Sequence, residues 1–452
     1  MNVGIDAFSF DLPKIYLPIP VLANHRNIEP EKLTKGLGLQ RMSFSDVHQD
    51  AVTFAANAVL RLINQNQLNP KEISRIYVGT ESAVDASKPI GTYIIQLLEQ
   101  VLGTQNFNHC DVVDMTFACI GAVDALHTCL DFIRLNPTKK AIVVATDTAK
   151  YDLNSTGEYT QGAGAIAMLV TANPRIANVS QTVGISTEGV FDFFKPRRYI
   201  NKETITQNPE NIDWNGVLET EIAIYKDQPV FDGQYSNTCY VNRVKEAYQH
   251  FKDEQNTPAE NISKNWQNVL MHLPYCYQGR RMFVELFALE NPEILAQQEG
   301  ETAAEKLKKL AKSPEYTAFV NQKIYPSEIA SGAVGNIYTG SLFLGLLSTL
   351  CYHYKENSNL TNVKMGCIAY GSGSKSKVFE LEINQNWQTA IAPVQLFETL
   401  EKATEISFET YEKLHKKEQK TSVITPTNEF YLSKIETENP ALVGARYYEF
   451  KS

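Results

Sequence analysis

The stretch TFACIGAVDALHTCL, residues 116–130, begins as a turn of small residues and continues as an apolar helix, with Val123, Leu126, Leu130 and Ile133 at the spacing of one helix face. Just ahead of it, Asp111 to Met115 reads as a short strand. After it, AIVVATD (141–147) and GAIAMLVTA (164–172) read as two more apolar strands. Upstream, SRIYVGT (74–80) is a β-branched run, AVTFAANAVLRLI (51–63) has the periodicity of a buried helix face, and Pro89 sits where another helix can begin. Strands alternating with helices predict an α/β class, with helices covering a mixed sheet. The second half echoes the first. SGAVGNIYTGSLFLGLLSTL (331–350) is again a small-residue turn entering an apolar helix, and MGCIAYGSG follows it as VVATDTAKY follows the other. Between the halves, residues 195–228 are polar and poorly periodic, which predicts a surface excursion. From 384 onward the chain is richer in charge and reads as peripheral helices and a tail.

The 452 residues include 42 basic and 51 acidic side chains, a formal net charge of −9. That balance argues against a nucleic-acid partner, which needs clustered cations to displace counterions. With 43% apolar and 21% charged residues the composition is that of a folded protein. The opening MNVGIDAFSFDLPKIYLPIP has no basic segment followed by an unbroken apolar one, so no secretory leader is expected. The most apolar run, SLFLGLLSTLCY (341–352), is well short of the ~20 residues of a membrane span. Seven cysteines without a C-x-x-C pair predict free thiols in a reducing compartment, hence a cytoplasmic location, no membrane contact and no metal cage.

Three residues are candidates for chemistry. Cys119 lies in the turn FACIGA at the start of a helix, where unpaired N–H groups and the dipole favour a thiolate and predict a lowered thiol pKa. The simpler reading, a buried structural cysteine, suits Cys129 and Cys351. Glu81 directly follows a strand and enters a loop that also holds Asp85; a partly desolvated carboxylate there is a usable general base. His272 sits in NVLMHLPYC, as a proton carrier or a core histidine. The loops QGAGAIAML (161–169) and YGSGSKS (370–376) lack a dinucleotide or phosphate fingerprint and read as close backbone approaches. Lys195, Arg197, Arg198 and Arg280–Arg281 suit phosphates or, more simply, a solvated surface.

In order and content, GTESAVDASK (79–88), FACIGA (117–122), VVATDTAKYDLNSTGEYTQGAGAIAML (143–169), FDFFKP (191–196), PVFDGQYS (229–236), MHLPYC (271–276), GAVGNIYTGSL (332–342) and YGSGS (370–374) resemble the hydroxymethylglutaryl-CoA synthases of the thiolase superfamily, bacterial type. The resemblance implies a duplicated thiolase-like α/β/α/β/α sandwich with mixed five-stranded sheets, usually a homodimer. It places the Glu/Cys pair in 1–173 and the histidine in 174–452. It implies condensation of acetyl-CoA with acetoacetyl-CoA and water to 3-hydroxy-3-methylglutaryl-CoA and CoA on the mevalonate route, with no cofactor and no metal. On matching positions Cys119 is the acetylated nucleophile, Glu81 the base on the acetyl methyl, and His272 the residue that orients acetoacetyl-CoA. Asp85, Asp147, Tyr151, Asp192, Phe193, Asn336 and Ser372 match substrate-binding positions, and Arg281 a basic residue near CoA.

The chain departs from the family at Ile120, where an aromatic residue usually follows the nucleophile and the change is expected to take a ring and hydroxyl from the pocket wall, and at Tyr277, where a lysine is frequent. One alternative within the superfamily is a carrier-protein-dependent synthase for polyketide β-branching. A ketoacyl synthase would leave Glu81 without a purpose, and a thiolase needs a second cysteine where Gly371–Ser372–Gly373 stands. A non-catalytic acyl-binding scaffold would be expected to have lost the nucleophile or the base.

Overall fold

In the computed structural model, which describes residues 2–207, 217–257 and 261–452, ten strands form one mixed sheet. They are β1 Val3–Asp11, β2 Ile73–Gly79, β3 Asp111–Met115, β4 Lys140–Thr148, β5 Ala163–Ala172, β6 Ala177–Val179, β7 Gly184–Thr187, β8 Trp266–Met271, β9 Lys364–Gly371 and β10 Lys375–Ile383. In the first half the order is β3-β2-β4-β5-β1; β3, β2 and β4 run parallel, while the β4/β5 and β5/β1 pairs are antiparallel. In the second half β8 is parallel to β9 and β9 antiparallel to β10, and the far edge of β10 takes β6 and then β7. The two sets of five strands join where β1 pairs with β6, Gly4 opposite Asn178.

Four helices define the layers: α1 Ala51–Gln65, α2 Gly121–Leu135, α3 Gly233–Glu254 and α4 Ser341–Lys355. The strands are apolar on both faces, and alternate residues sort to opposite sides. Val143, Ala145, Ile166 and Met168 face a central core shared with α2 and α4, whereas Ile142, Val144, Ala165 and Ala167 face α1. In the second half Cys367 and Phe379 join the central core, and Ile368 and Val378 pack towards α3. The layers therefore run α/β/α/β/α. The echo in the sequence is real in topology, since α2 leads into β4 and β5 as α4 leads into β9 and β10.

Capping and burial follow from local chemistry. Asp50 opens α1 with a capping box, its side chain accepting from Val52 N and Thr53 N. Helix α4 is apolar nearly all round because it lies in the middle layer. Each of Leu342, Phe343, Leu346, Leu347 and Leu350 contributes about 1.5–3 kcal/mol on burial. Together they outweigh the ~1–3 kcal/mol of strain at Tyr338, whose φ is +43°.

Two peripheral segments differ from expectation. The tail has its helices, Trp387–Ile391, Leu396–Glu401 and Phe408–His415, but Glu429–Ile435 and Arg446–Lys451 pair as antiparallel strands. Phe430 and Tyr448 alternate inward there and join the core beside α1. In the excursion 195–228, Arg198–Asn201 pairs with Glu221–Ile224; its residues 208–216 lie outside the described residues. Among the described residues no helix is long and apolar enough to cross a membrane.

Candidate active site

Because β2, β3 and β4 run parallel, their carboxyl ends share one edge of the sheet, and Glu81, the 116–120 turn and Asp147 lie there. The parallel pair β8 and β9 ends likewise in His272 and Ser372. Such strand ends are where α/β sheets leave room for a ligand. The turn before α2 is tight: Ile120 N donates to Phe117 O at 3.0 Å, and Ala118 has φ +37°, a region side chains rarely adopt. Residue 371 is glycine because a Cβ there would stand 2.9 Å from both Ile120 N and Phe117 O. The YGSGS loop of one half thus presses on the cysteine turn of the other.

The Glu81 carboxylate is shared between two partners. Cys119 Sγ donates to Oε1 at 3.2 Å, and Lys195 Nζ lies 3.2 Å from Oε2. Lys195 also sits 4.5 Å above the Tyr338 ring. Burial alone would lower the Lys195 pKa, but the Glu81 and Asp147 carboxylates hold it above its ordinary value. Asp147 is fully buried: Oδ1 accepts from Glu81 N (2.8 Å), Ser82 Oγ (2.9 Å) and Thr80 Oγ1 (3.2 Å), and Oδ2 from Thr339 N (3.0 Å) and Thr339 Oγ1 (2.5 Å). Burial and the Glu81 charge raise Asp147 to about 7 despite these donors.

The expected lowering of the Cys119 pKa is overturned. Burial first, and then the adjacent Glu81 carboxylate, push the thiol well above its ordinary range. The helix dipole lies behind Ile120, and it is outweighed by a full negative charge in hydrogen-bond contact. The resting group is a thiol with a proton acceptor in place.

His272 is buried, and desolvation lowers it to about 3, so the ring is neutral; its Nδ1 is buried without a partner. Tyr240 Oη donates to the His272 carbonyl at 2.6 Å, and Leu273 N donates to Ser341 Oγ at 2.8 Å, which ties this strand end to α3 and α4. Tyr240 links the two sets of groups, with its ring 6.2 Å from His272 and its hydroxyl within electrostatic reach of Cys119.

Tyr151, Phe193, Phe231 and Tyr338 form an aromatic cluster against Cys119. Asp192 is buried and accepts from Tyr370 Oη (2.6 Å) and Gly373 N (2.7 Å), fixing the loop that carries Ser372. Asn336 Oδ1 accepts from Tyr338 N at 2.8 Å, so it braces its own turn. Glu81, Asp85, Phe193, Lys195, Arg197 and Ser372 line a cavity of about 780 Å³. Asp85 is exposed at its rim, and the N–H groups of Lys88 and Ser87 (2.7 Å each) lower its pKa.

Arg281 is not among the residues lining that cavity. Its Nη2 donates to Gly36 O at 2.7 Å, and it leans on Tyr275. Arg280 pairs with the buried Glu328 and stacks on Tyr277. Ile120, expected to alter the pocket wall, is instead fully buried in the central core.

Sequence reasoning missed Lys195 and Thr339. In sequence Lys195 reads as one of several cations suited to phosphate or to solvent, yet Phe193, Phe194 and Pro196 around it are an apolar setting that marks a buried charge. Nothing in the sequence marks Thr339, which reaches Asp147 only across the two halves. Among the described residues no cluster of His, Cys, Asp and Glu has the arrangement to hold a metal ion.

This is the fold of the thiolase-like acyltransferases. The comparisons narrow it. The family model for the hydroxymethylglutaryl-coenzyme A synthase N terminal region matches residues 1–175, and that for the C terminal region matches 223–438. The hydroxymethylglutaryl-CoA synthase of Haloferax volcanii is 31% identical over 92% of this chain and 91% of its own. That of Enterococcus faecalis is 32% identical over 91% of each. A MvaS protein solved in complex with 3-hydroxy-3-methylglutaryl coenzyme A superposes with a TM-score of 0.81 at 26% identity, covering 100% of this chain and 99% of that one. The chain belongs to the hydroxymethylglutaryl-CoA synthase family.

Proposed function

We propose that the chain condenses acetyl-CoA with acetoacetyl-CoA and water to 3-hydroxy-3-methylglutaryl-CoA and CoA, as a step of the mevalonate route and as a cytoplasmic homodimer. The observation that carries this reading is the 3.2 Å contact from the Cys119 thiol to Glu81 at the end of the parallel strands. In the first step the Cys119 proton passes to Glu81, sulfur attacks the acetyl carbonyl, and the proton leaves with CoA sulfur. The product is an acetyl thioester on Cys119 and a free carboxylate beside it.

Glu81 then removes a methyl proton from the acetyl group. The resulting carbon attacks the ketone of acetoacetyl-CoA, and a base held this close converts a weak acid into a usable nucleophile. His272, neutral because it is buried, orients the second substrate and donates a hydrogen bond to the carbonyl oxygen as charge develops on it. The tertiary alkoxide so formed takes up the proton that Glu81 removed, and water then cleaves the Cys119 thioester to the carboxylic acid and the free thiol. Phe193 and Tyr151 shape the acetyl end. Asp147, Asp192 and Asn336 hold the loops, Asp85 and Ser372 meet substrate along the cavity, and Arg281 meets CoA outside it. The halves 1–173 and 174–452 each supply part of this site, and no cofactor or metal takes part.

Intact-protein mass after brief exposure to acetyl-CoA, then to acetoacetyl-CoA, tests the reading. One acetyl adduct is expected, absent in Cys119→Ala and cleared by the chase as product appears. Glu81→Ala should still accumulate the adduct, more slowly because the thiol has lost its proton acceptor, and lose condensation by about 10²–10⁴-fold. No adduct on the folded protein would refute the mechanism. Clearance only by an acetoacetyl carrier protein would reassign the second substrate.

A further inference from the structure

The polar excursion lines part of the cavity, and one of its side chains contacts Glu81. Lys195 begins that segment, yet its ammonium is nearly buried between Glu81 and the face of Tyr338. The two Glu81 oxygens have different partners, the thiol on Oε1 and Lys195 on Oε2. Once Cys119 carries an acyl group its S–H donor is gone, and Lys195 becomes the contact that still fixes the carboxylate. We infer that Lys195 is a positioning residue for the condensation, keeping the Glu81 carboxylate aimed at the acyl-cysteine through its Oε2 contact. The inference rests on Glu81 being the base.

Every group facing Glu81 bears on this role. Asp147, at the end of β4, meets the Glu81 backbone N–H and adds a second negative charge. Cys119, from the turn before α2, is neutral at rest. Tyr338, from the turn before α4, and Tyr151 are neutral phenols, as is Tyr225 at the end of the Glu221–Ile224 strand. Among the described residues Lys195 is the cation in contact with the carboxylate. Two carboxylates in one desolvated site cannot both stay ionised without a compensating cation. Asp147 is already raised to about 7 with Lys195 in place, so removing the compensating cation should favour the protonated form of the pair further at neutral pH. The neighbouring carboxylates argue against Lys195 acting as a proton donor, because they hold it protonated against the effect of burial.

The test uses the full-length protein with three measurements: acetyl adduct by intact mass, the pH profile of kcat, and KM for acetyl-CoA. Lys195→Gln should still take up acetyl from acetyl-CoA with KM within about threefold of the wild type. Its kcat should fall roughly 10–100-fold, with the acid limb of the profile moved up by about one pH unit, as expected for a lost neighbouring charge. Lys195→Arg should restore the acid limb and most of the rate. An unmoved acid limb in Lys195→Gln, with the protein folded by thermal melting and acetylated, overturns the inference and leaves Glu81 as base. Failure of the wild type itself to acetylate would overturn the underlying reading instead.

Discussion

The turns that open α2 and α4 are copies in topology and opposites in use. In the first half, residues 116–120 leave Cys119 half-buried with its thiol on Glu81. In the second, residues 335–340 are buried throughout, and their polar groups are used internally: Asn336 braces the turn and Thr339 holds Asp147. Both contain a non-glycine residue with positive φ, Ala118 at +37° and Tyr338 at +43°. Duplication thus supplied two strained turns at facing positions. One presents a thiol to Glu81, and the other holds Asp147.

That contrast can be broken most forcefully at Gly335. Its φ is +94°, and a Cβ would fall 2.0 Å from Gln161 O, a backbone atom of the opposite half. Gly335→Ala should cost about 3–5 kcal/mol, combining the strained backbone with an overpacked contact, as read by denaturant unfolding. A loss under 1 kcal/mol would mean that the two halves do not meet as tightly as the geometry requires.

Thr339→Val separates alignment from chemistry. It removes the hydroxyl that donates to Asp147 Oδ2 while leaving the Thr339 N–H in place. A buried carboxylate short of one donor should lose about 1–3 kcal/mol of stability. Acetylation of Cys119 should persist, with a reduced rate of condensation. An unchanged condensation rate would confine Thr339 to the scaffold.

The smallest effect concerns acid. The folded pKa of His272, about 3, lies below its ordinary value of 6.5, so the unfolded chain binds the proton more readily. Its contribution to stability is present above pH 6.5 and is lost as pH falls towards 3. Melting temperatures measured from pH 7 to pH 4 should therefore fall less steeply for His272→Gln than for the wild type. Parallel curves would mean that the ring already titrates near its ordinary value in the folded protein.

Much of the fold was legible because its signals are local. The strands at 111–115 and 141–147 and the helix entered from FACIGA appear where apolar periodicity places them, as does the helix begun at Pro89. The strand pair of the tail was not, although EFYLSKI and RYYEFK do alternate. Surrounding charge masked that short-period signal. In the site, Glu81, Cys119 and Asp147 come together because parallel strands end at one edge, which the strand order alone implies. Lys195 and Thr339 are long-range partners drawn from a loop and from the other half; apolar neighbours are the one local sign of Lys195, and Thr339 has none.

By itself the sequence determined the α/β class, the duplication and the family, because periodicity and ordered motifs are properties of the chain read in one dimension. The protonation of the site was decided only by the tertiary structure. Whether Cys119 rests as thiol or thiolate, whether His272 is charged, and whether Lys195 is solvated all depend on burial and on charges brought within a few ångströms by folding. Local sequence suggested a lowered thiol pKa from the helix end, and the folded neighbourhood reversed it. A carboxylate in contact outweighs a partial dipole once water is excluded.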